Sequence, residues 1–305
     1  MAALQGIVCA NITPFDESRK VDYKGVRKLA RYLADSGIQA VYPLGTNGEG
    51  IALSVEERKK IAEVMVEEIN HKISVVVQCG TQTLENTLEL VRHAKDAGAD
   101  AAGVLSPFFF HQSDEALIEY YSEVLEAAGD FPIYIYNIPT NTNNDVSAEI
   151  VKRLGRKYKN LCGVKFSYPD IARICEYVRT RDGGLDTLIG CDRLIYPAYK
   201  SGAVGTVTGP AAIFPEIFTS LWEFARTGND KAALRLQYQI QKNAERLSKY
   251  QEIPMIKHYL KAKGIIGSDV CRIPFYSVGE REREEVLSVI GEMKKQFDKE
   301  GYKAS

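Results

Sequence analysis

A lysine inside an apolar, β-rich run is unusual, because burying an ammonium is costly. Lys165 stands in such a run, Leu161-Cys162-Gly163-Val164-Lys165-Phe166-Ser167. A lysine so placed pairs, reaches solvent from the strand end, or loses its proton, and the neutral amine is the form that attacks a ketone carbonyl. The run Ile133-Tyr134-Ile135-Tyr136-Asn137 puts Tyr134 and Tyr136 on one face, with Tyr136 nearer the carboxyl end. Its phenol can pass a proton if a partner stabilises the oxygen; a core tyrosine that satisfies a carbonyl is the alternative. On neighbouring strands, Tyr136 and Lys165 would meet. An imine at Lys165 with a 2-oxo acid would then draw electrons from the adjacent C–C or C–H bond, work that a metal or pyridoxal otherwise does.

Two further regions suit a ligand. Tyr42-Pro43-Leu44-Gly45-Thr46-Asn47-Gly48-Glu49-Gly50 combines three glycines with short polar side chains just before a helical pattern. Exposed backbone N–H groups and a helix start suit a carboxylate or phosphate there, although an ordinary glycine-rich turn has the same composition. It does not match the nucleotide-binding pattern G-x-x-x-x-G-K-[ST]. The last two strands end at Gly190-Cys191-Asp192-Arg193 and Gly205-Thr206-Val207-Thr208-Gly209-Pro210. Small residues such as Gly190, Val207 and the nearby Ser167 leave room for substrate, and Asp192 and Arg193 are candidates for its polar far end. Helix capping is the competing role for Asp192.

Other chemistries find less support. Histidines 71, 93, 111 and 258 form no H-E-x-x-H or close cluster, and carboxylates are not gathered at strand ends as a divalent metal requires. There is no G-x-S-x-G elbow, and the only carboxylates placed for a glycosidase pair, Glu49 and Asp192, read as loop or cap residues. The expected chemistry needs no metal and no organic cofactor.

The elements that must hold these residues alternate between short apolar runs and amphipathic ones. Strands are expected at Gly6 to Thr13, Ile38 to Pro43, Ile73 to Gln78, Ala101 to Leu105, Ile133 to Asn137, Leu161 to Phe166, Thr187 to Ile189 and Val204 to Val207. Eight strands, nearly all followed by a helical pattern, predict an α/β fold of the (β/α)8 TIM-barrel class. An open doubly wound sheet is disfavoured by the strand count and by the lack of G-x-G-x-x-G after the first strand. Ser54 and Glu57 fit a capping box. Beyond Pro215 four more helices are expected, one or more completing the barrel. The chain thus divides into a barrel at 1–225 and a C-terminal helical extension at 226–305, packed on the barrel or on a subunit interface.

With Lys and Arg totalling 39 against 40 Asp and Glu, no charge excess draws in nucleic acid or a membrane surface, so a small molecule is the expected partner. The six cysteines lack a short repeated spacing, the start MAALQGIVCANITPF lacks a basic lead with a long apolar run, and no stretch is apolar enough to span a bilayer. A cytoplasmic location is expected.

Gly45-Thr46-Asn47-Gly48-Glu49, Tyr136-Asn137-Ile138-Pro139, Gly163-Val164-Lys165 and Arg272-Ile273-Pro274-Phe275 occur in an order and spacing that resembles the dihydrodipicolinate synthase and N-acetylneuraminate lyase superfamily, over nearly the whole chain. The resemblance implies that Lys165 is the Schiff-base lysine, that Tyr136 transfers protons with Thr46, and that Thr46 and Asn47 bind the carboxylate of a 2-oxo acid such as pyruvate. It also implies a homotetramer and an aldehyde as co-substrate or product.

Three departures bear on the substrate. Asn141 stands where dihydrodipicolinate synthases have the arginine for the aldehyde's carboxylate. Phe109 stands where a neighbouring subunit commonly presents a tyrosine. Asp192, Arg193 and Gly209 stand where sialate lyases carry Asp, Glu and Ser. These departures predict an aldolase closer to those acting on 2-keto-3-deoxy sugar acids. The alternatives are a 4-hydroxy-2-oxoglutarate-type aldolase or 2-keto-3-deoxy acid dehydratase, then an N-acetylneuraminate lyase. Dihydrodipicolinate synthesis is disfavoured by Asn141 and Phe109, and a non-catalytic barrel used for binding or assembly comes last.

Overall fold

Along the run 133–137, Ile133 and Ile135 join the apolar layer beneath the helices, whereas Tyr134 and Tyr136 join a separate apolar cluster with Val8, Tyr42, Leu188 and Val207. Two cores on opposite faces of the same strands are what a closed sheet with an outer ring of helices requires. The computed structural model describes residues 4–180 and 184–299. Its strands are β1 (Gly6–Cys9), β2 (Ala40–Val41), β3 (Ser74–Gln78), β4 (Ala101–Leu105), β5 (Ile133–Asn137), β6 (Leu161–Phe166), β7 (Asp186–Ile189) and β8 (Gly205–Thr208). They pair in parallel in chain order, and β8 closes on β1. The TIM barrel with helical extension expected from the sequence is the observed fold.

Around the barrel lie α1 (Tyr23–Ala34), α2 (Val55–Ile69), α3 (Leu84–Asp96), α4 (Asp114–Ala128), the short α5 (Pro139–Thr142), α6 (Ala148–Lys157), α7 (Ile171–Arg179), α8 (Ile195–Lys200) and α9 (Pro215–Arg226). The sequence code for their starts is local. Ser54 and Glu57 form the capping box, and Thr83, Ser113, Ser147 and Asp170 each accept from a backbone N–H three residues on. Each cap lies just past a βα loop and so fixes where that loop ends at the barrel mouth. The short α5 has no counterpart in the expected elements, because its four residues carry no apolar period.

The eighth barrel helix is α9, packed on β1 and α8. The extension comprises α10 (Asp230–Leu247), α11 (Glu252–Ala262) and α12 (Glu280–Lys299). It packs on the barrel of its own chain: α12 buries Val286, Ile290, Met293 and Phe297 along one face, and the Phe297 ring meets that of Phe214 edge-on at 6.1 Å. Among the described residues no helix is long and apolar enough to cross a membrane.

Candidate active site

Register on β5 and β6 sets Tyr136 directly opposite Lys165, so both side chains point into the barrel from the same level. Lys165 is only 4% exposed. Its Nζ lies 3.7 Å from the centre of the Tyr136 ring and 4.4 Å from that of Tyr42. The two rings stand edge to face at 5.9 Å, an apolar cage with two phenols at its rim. Tyr42 fits inside because β4 carries a glycine opposite it. A Cβ on Gly103 would stand 1.8 Å from the Tyr42 hydroxyl, closer than any side chain allows.

Burial lowers the Lys165 ammonium below the ordinary lysine range, and the Tyr136 phenol only partly opposes this. Burial pushes Tyr136 the other way, but the ammonium beside it and the hydroxyls of Thr46 and Ser167 outweigh burial and hold the phenol below its ordinary range. The Thr46 hydroxyl and the Tyr136 hydroxyl share a hydrogen bond of 3.2 Å, which links the glycine-rich loop after β2 to the β5 phenol. The pair is thus arranged to divide one proton between an amine and a phenol.

Above this pair opens a cavity of about 360 Å³. Thr46 and Asn47 line one side, and Tyr136, Lys165 and Ser167 form the floor. Gly190, Asp192, Arg193 and Val207 line it too. All nine residues expected from the sequence therefore share one cavity. Gly190 is required by crowding, since a Cβ there would meet Ser167 Oγ at 2.0 Å.

Asp192 caps no helix. It begins a 3-10 turn, Asp192–Leu194, and its Oδ2 accepts from the Thr208 hydroxyl at 2.9 Å. The Asn47 amide donates to Glu252 Oε1 at 2.7 Å, a partner from the first turn of α11 that the sequence did not single out. Gly209 makes this meeting possible, because a Cβ there would stand 1.9 Å from Asn47 Nδ2 and 2.4 Å from Glu252 Oε1.

Other motif residues hold the frame. Asn137 is fully buried; its amide donates to Asp145 and to the Tyr177 hydroxyl, both at 2.8 Å, and its carbonyl accepts from Val146 N–H. Glu49, read from the sequence as a loop or cap residue, is a fully buried anion. It accepts from Lys257 of α11 and from the Arg272 backbone N–H at 2.8 Å. The Arg272 guanidinium in turn donates to both Glu57 oxygens at 2.7 and 2.9 Å. No sequence pattern marks Glu49 and Lys257 as partners, because their separation of 208 residues closes only in the fold.

The Dihydrodipicolinate synthetase family matches residues 3–293. The chain is 31% identical over 294 residues to the 4-hydroxy-tetrahydrodipicolinate synthase of Chlorobium limicola, covering 94% of this chain and 98% of that one. It is 33% identical over 242 residues to the enzyme of the same name from Methanothermobacter thermautotrophicus, covering 78% of this chain and 84% of that one. Among solved structures, dihydrodipicolinate synthase from Aquifex aeolicus superimposes with a TM-score of 0.90 at 27% identity over 95% of this chain and 98% of that one. The 4-hydroxy-tetrahydrodipicolinate synthase of Methylacidiphilum fumariolicum gives 0.90 at 26%, over 97% and 98%.

These likenesses correct the substrate expected from Asn141 and Phe109. The relatives are consistently 4-hydroxy-tetrahydrodipicolinate synthases, so the placement nearer 2-keto-3-deoxy sugar acid aldolases is overturned. The physical reason is that a few side chains at a cavity rim can be exchanged while the barrel, the lysine strand and the glycine-rich loop stay fixed. The chain belongs to the dihydrodipicolinate synthetase family, and with it to the pyruvate-dependent, Schiff-base-forming aldolases and lyases.

Proposed function

We propose that this chain condenses pyruvate, held as an imine on Lys165, with an amino aldehyde that also bears a carboxylate, the reaction for which its relatives are named. The observation that carries this reading is the Lys165 amine, caged by Tyr136 and Tyr42 at the floor of a cavity whose wall is the Thr46 loop. The name of the relatives' product describes the partner: its ring skeleton has seven carbons, two carboxylates and one nitrogen. Pyruvate supplies three carbons and one carboxylate, which leaves a four-carbon aldehyde with an amine and a carboxylate.

The neutral amine of Lys165 adds to C2 of pyruvate, and the ketone oxygen leaves as water once protonated. Tyr136, linked to Thr46, is the group within reach to move those protons. Loss of a C3 proton gives the enamine, whose carbon bonds to the aldehyde carbon while the aldehyde oxygen takes a proton. The substrate's own amine then attacks C2 and expels Lys165, closing the ring. One water is lost overall, and no electrons are exchanged with a third party.

Thr46 and Asn47 anchor the pyruvate carboxylate so that the ketone presents C2 to Lys165. Ser167, Gly190 and Val207 leave the space in which the new bond forms, and Asp192 and Arg193 face the aldehyde's far end. Incubation with pyruvate and L-aspartate semialdehyde tests the reading. Aldehyde-dependent pyruvate consumption with a cyclised product supports it, and pyruvate left untouched rejects it.

A homotetramer is the assembly we infer, with copies meeting on the rim beside Tyr136. Phe109 and Phe110 are 74% and 64% exposed, and Phe109 holds a φ of +78°, a conformation unfavourable for a bulky side chain. Next to them Ile51, Phe108 and Phe275 line a cavity of about 150 Å³ on the far side of Tyr136. An apolar, strained rim of this kind supports a protein partner. In such an assembly Phe109 closes the neighbour's site as an apolar plug and relays no proton.

A further inference from the structure

The loss of an arginine at Asn141 leaves the aldehyde's carboxylate without the counter-charge that the family resemblance implies, yet the same cavity carries a guanidinium elsewhere. Arg193 lines the cavity from the turn after β7, and among the described residues its side chain has no hydrogen bond or ion pair. Its position is held by the backbone, not by the guanidinium. Gln237 and Gln241, one turn apart on α10, donate to the carbonyl oxygens of Asp192 and Arg193, each at 2.9 Å. The same cavity is lined by two carboxylates, Asp192 and Glu252. Each accepts one neutral donor, Thr208 for the first and Asn47 for the second; among the described residues neither forms an ion pair, and the charge acting on Glu252 is that of Lys165 in the same cavity.

We propose that this trio is the subsite for the amino-acid end of the aldehyde, with Arg193 on its carboxylate and the Asp192–Glu252 pair on its ammonium. The proposal rests on the pyruvate-imine reading above and deepens it. A zwitterionic end needs one cation and one anion site within one cavity, and these three residues line it with both, Glu252 standing against Asn47 of the Thr46 loop. Crowding by protein and then the neighbouring Glu252 push the Asp192 carboxyl up to about 7, and the same crowding raises that of Glu252, whose surface stays exposed. The open mouth admits water and tempers both effects. A bound ammonium is the partner that would hold both carboxylates ionised. The subsite is built by the helical extension: α10 holds the turn, and α11 begins with Glu252.

Three aldehydes test this with pyruvate as co-substrate: L-aspartate semialdehyde, succinate semialdehyde, which lacks the amine, and 3-aminopropanal, which lacks the carboxylate. Arg193→Ala is expected to lower kcat/KM for the two carboxylate-bearing aldehydes about tenfold or more relative to 3-aminopropanal, the scale of a lost charged hydrogen bond. Glu252→Gln keeps an acceptor for Asn47 and is expected to lower kcat/KM for the two amine-bearing aldehydes by a similar factor relative to succinate semialdehyde. Losses spread evenly over the three aldehydes, or no loss, overturn the subsite. Borohydride reduction of the wild type with pyruvate alone separates the layers. Without an adduct the imine reading itself fails, and with an adduct but flat aldehyde preferences only the subsite fails.

Discussion

The proposed reaction sets Lys165 two requirements that conflict in water: it must be neutral to attack, and it must be held where a ketone arrives. Burial against two aromatic rings meets the first, and its register position on β6 meets the second. The sign of the pH dependence follows. Because burial lowers the ammonium's pKa, the reactive amine accumulates as pH rises through a value below the ordinary lysine range, and imine formation should rise with it. Tyr136 acts against that lowering, so Tyr136→Phe should move the midpoint of imine formation to still lower pH. Turnover in the same variant should fall by about 10² or more, as a proton-transfer group is lost. Rates of pyruvate trapping against pH, with steady-state rates beside them, test both halves. An unchanged midpoint with near-normal turnover would reject the role given to Tyr136.

At the scale of elements, the glycine-rich loop after β2 is tied to the extension by the buried Glu49–Lys257 pair and by Arg272. Lys257 also lies over the Phe15 ring at 4.2 Å, so the pair is enclosed on every side. Lys257→Met should leave Glu49 as an unpaired buried charge and cost about 3–5 kcal/mol of unfolding free energy, measured by urea titration. A loss under about 1 kcal/mol would contradict this. Much of the surrounding architecture was legible in the chain. Alternation in 133–137, the Ser54 box and the apolar run around Lys165 are local signals, and β4, β5 and β6 have the bounds their residues predict. Glu252, Glu49 and Lys257 were not legible, since each reads as an ordinary surface charge on a helix or loop until α11 folds over the barrel mouth. Asp192 misled for a related reason: an acid before a helical pattern suggests a cap, but a 3-10 turn carries its side chain to Thr208 instead.

For the whole molecule, the substrate lesson is one of weight. Asn141 and Phe109 are two positions at one rim, and their departures pointed away from a family with which the chain shares its length, its barrel and its lysine strand. The same rim makes a prediction about assembly. The exposed Phe109 and Phe110 should be covered by a second copy, so Phe110→Asp should shift the sedimentation mass from an oligomer toward the single chain. A wild-type protein that sediments as one chain of 34.0 kDa would remove the inferred interface.

The most direct test of the central claim is reduction with borohydride in the presence of pyruvate, followed by intact mass and peptide mapping. One pyruvate per chain, located on Lys165 and absent from Lys165→Ala, is the predicted result. An unmodified wild-type chain, or an adduct on another lysine, would contradict it.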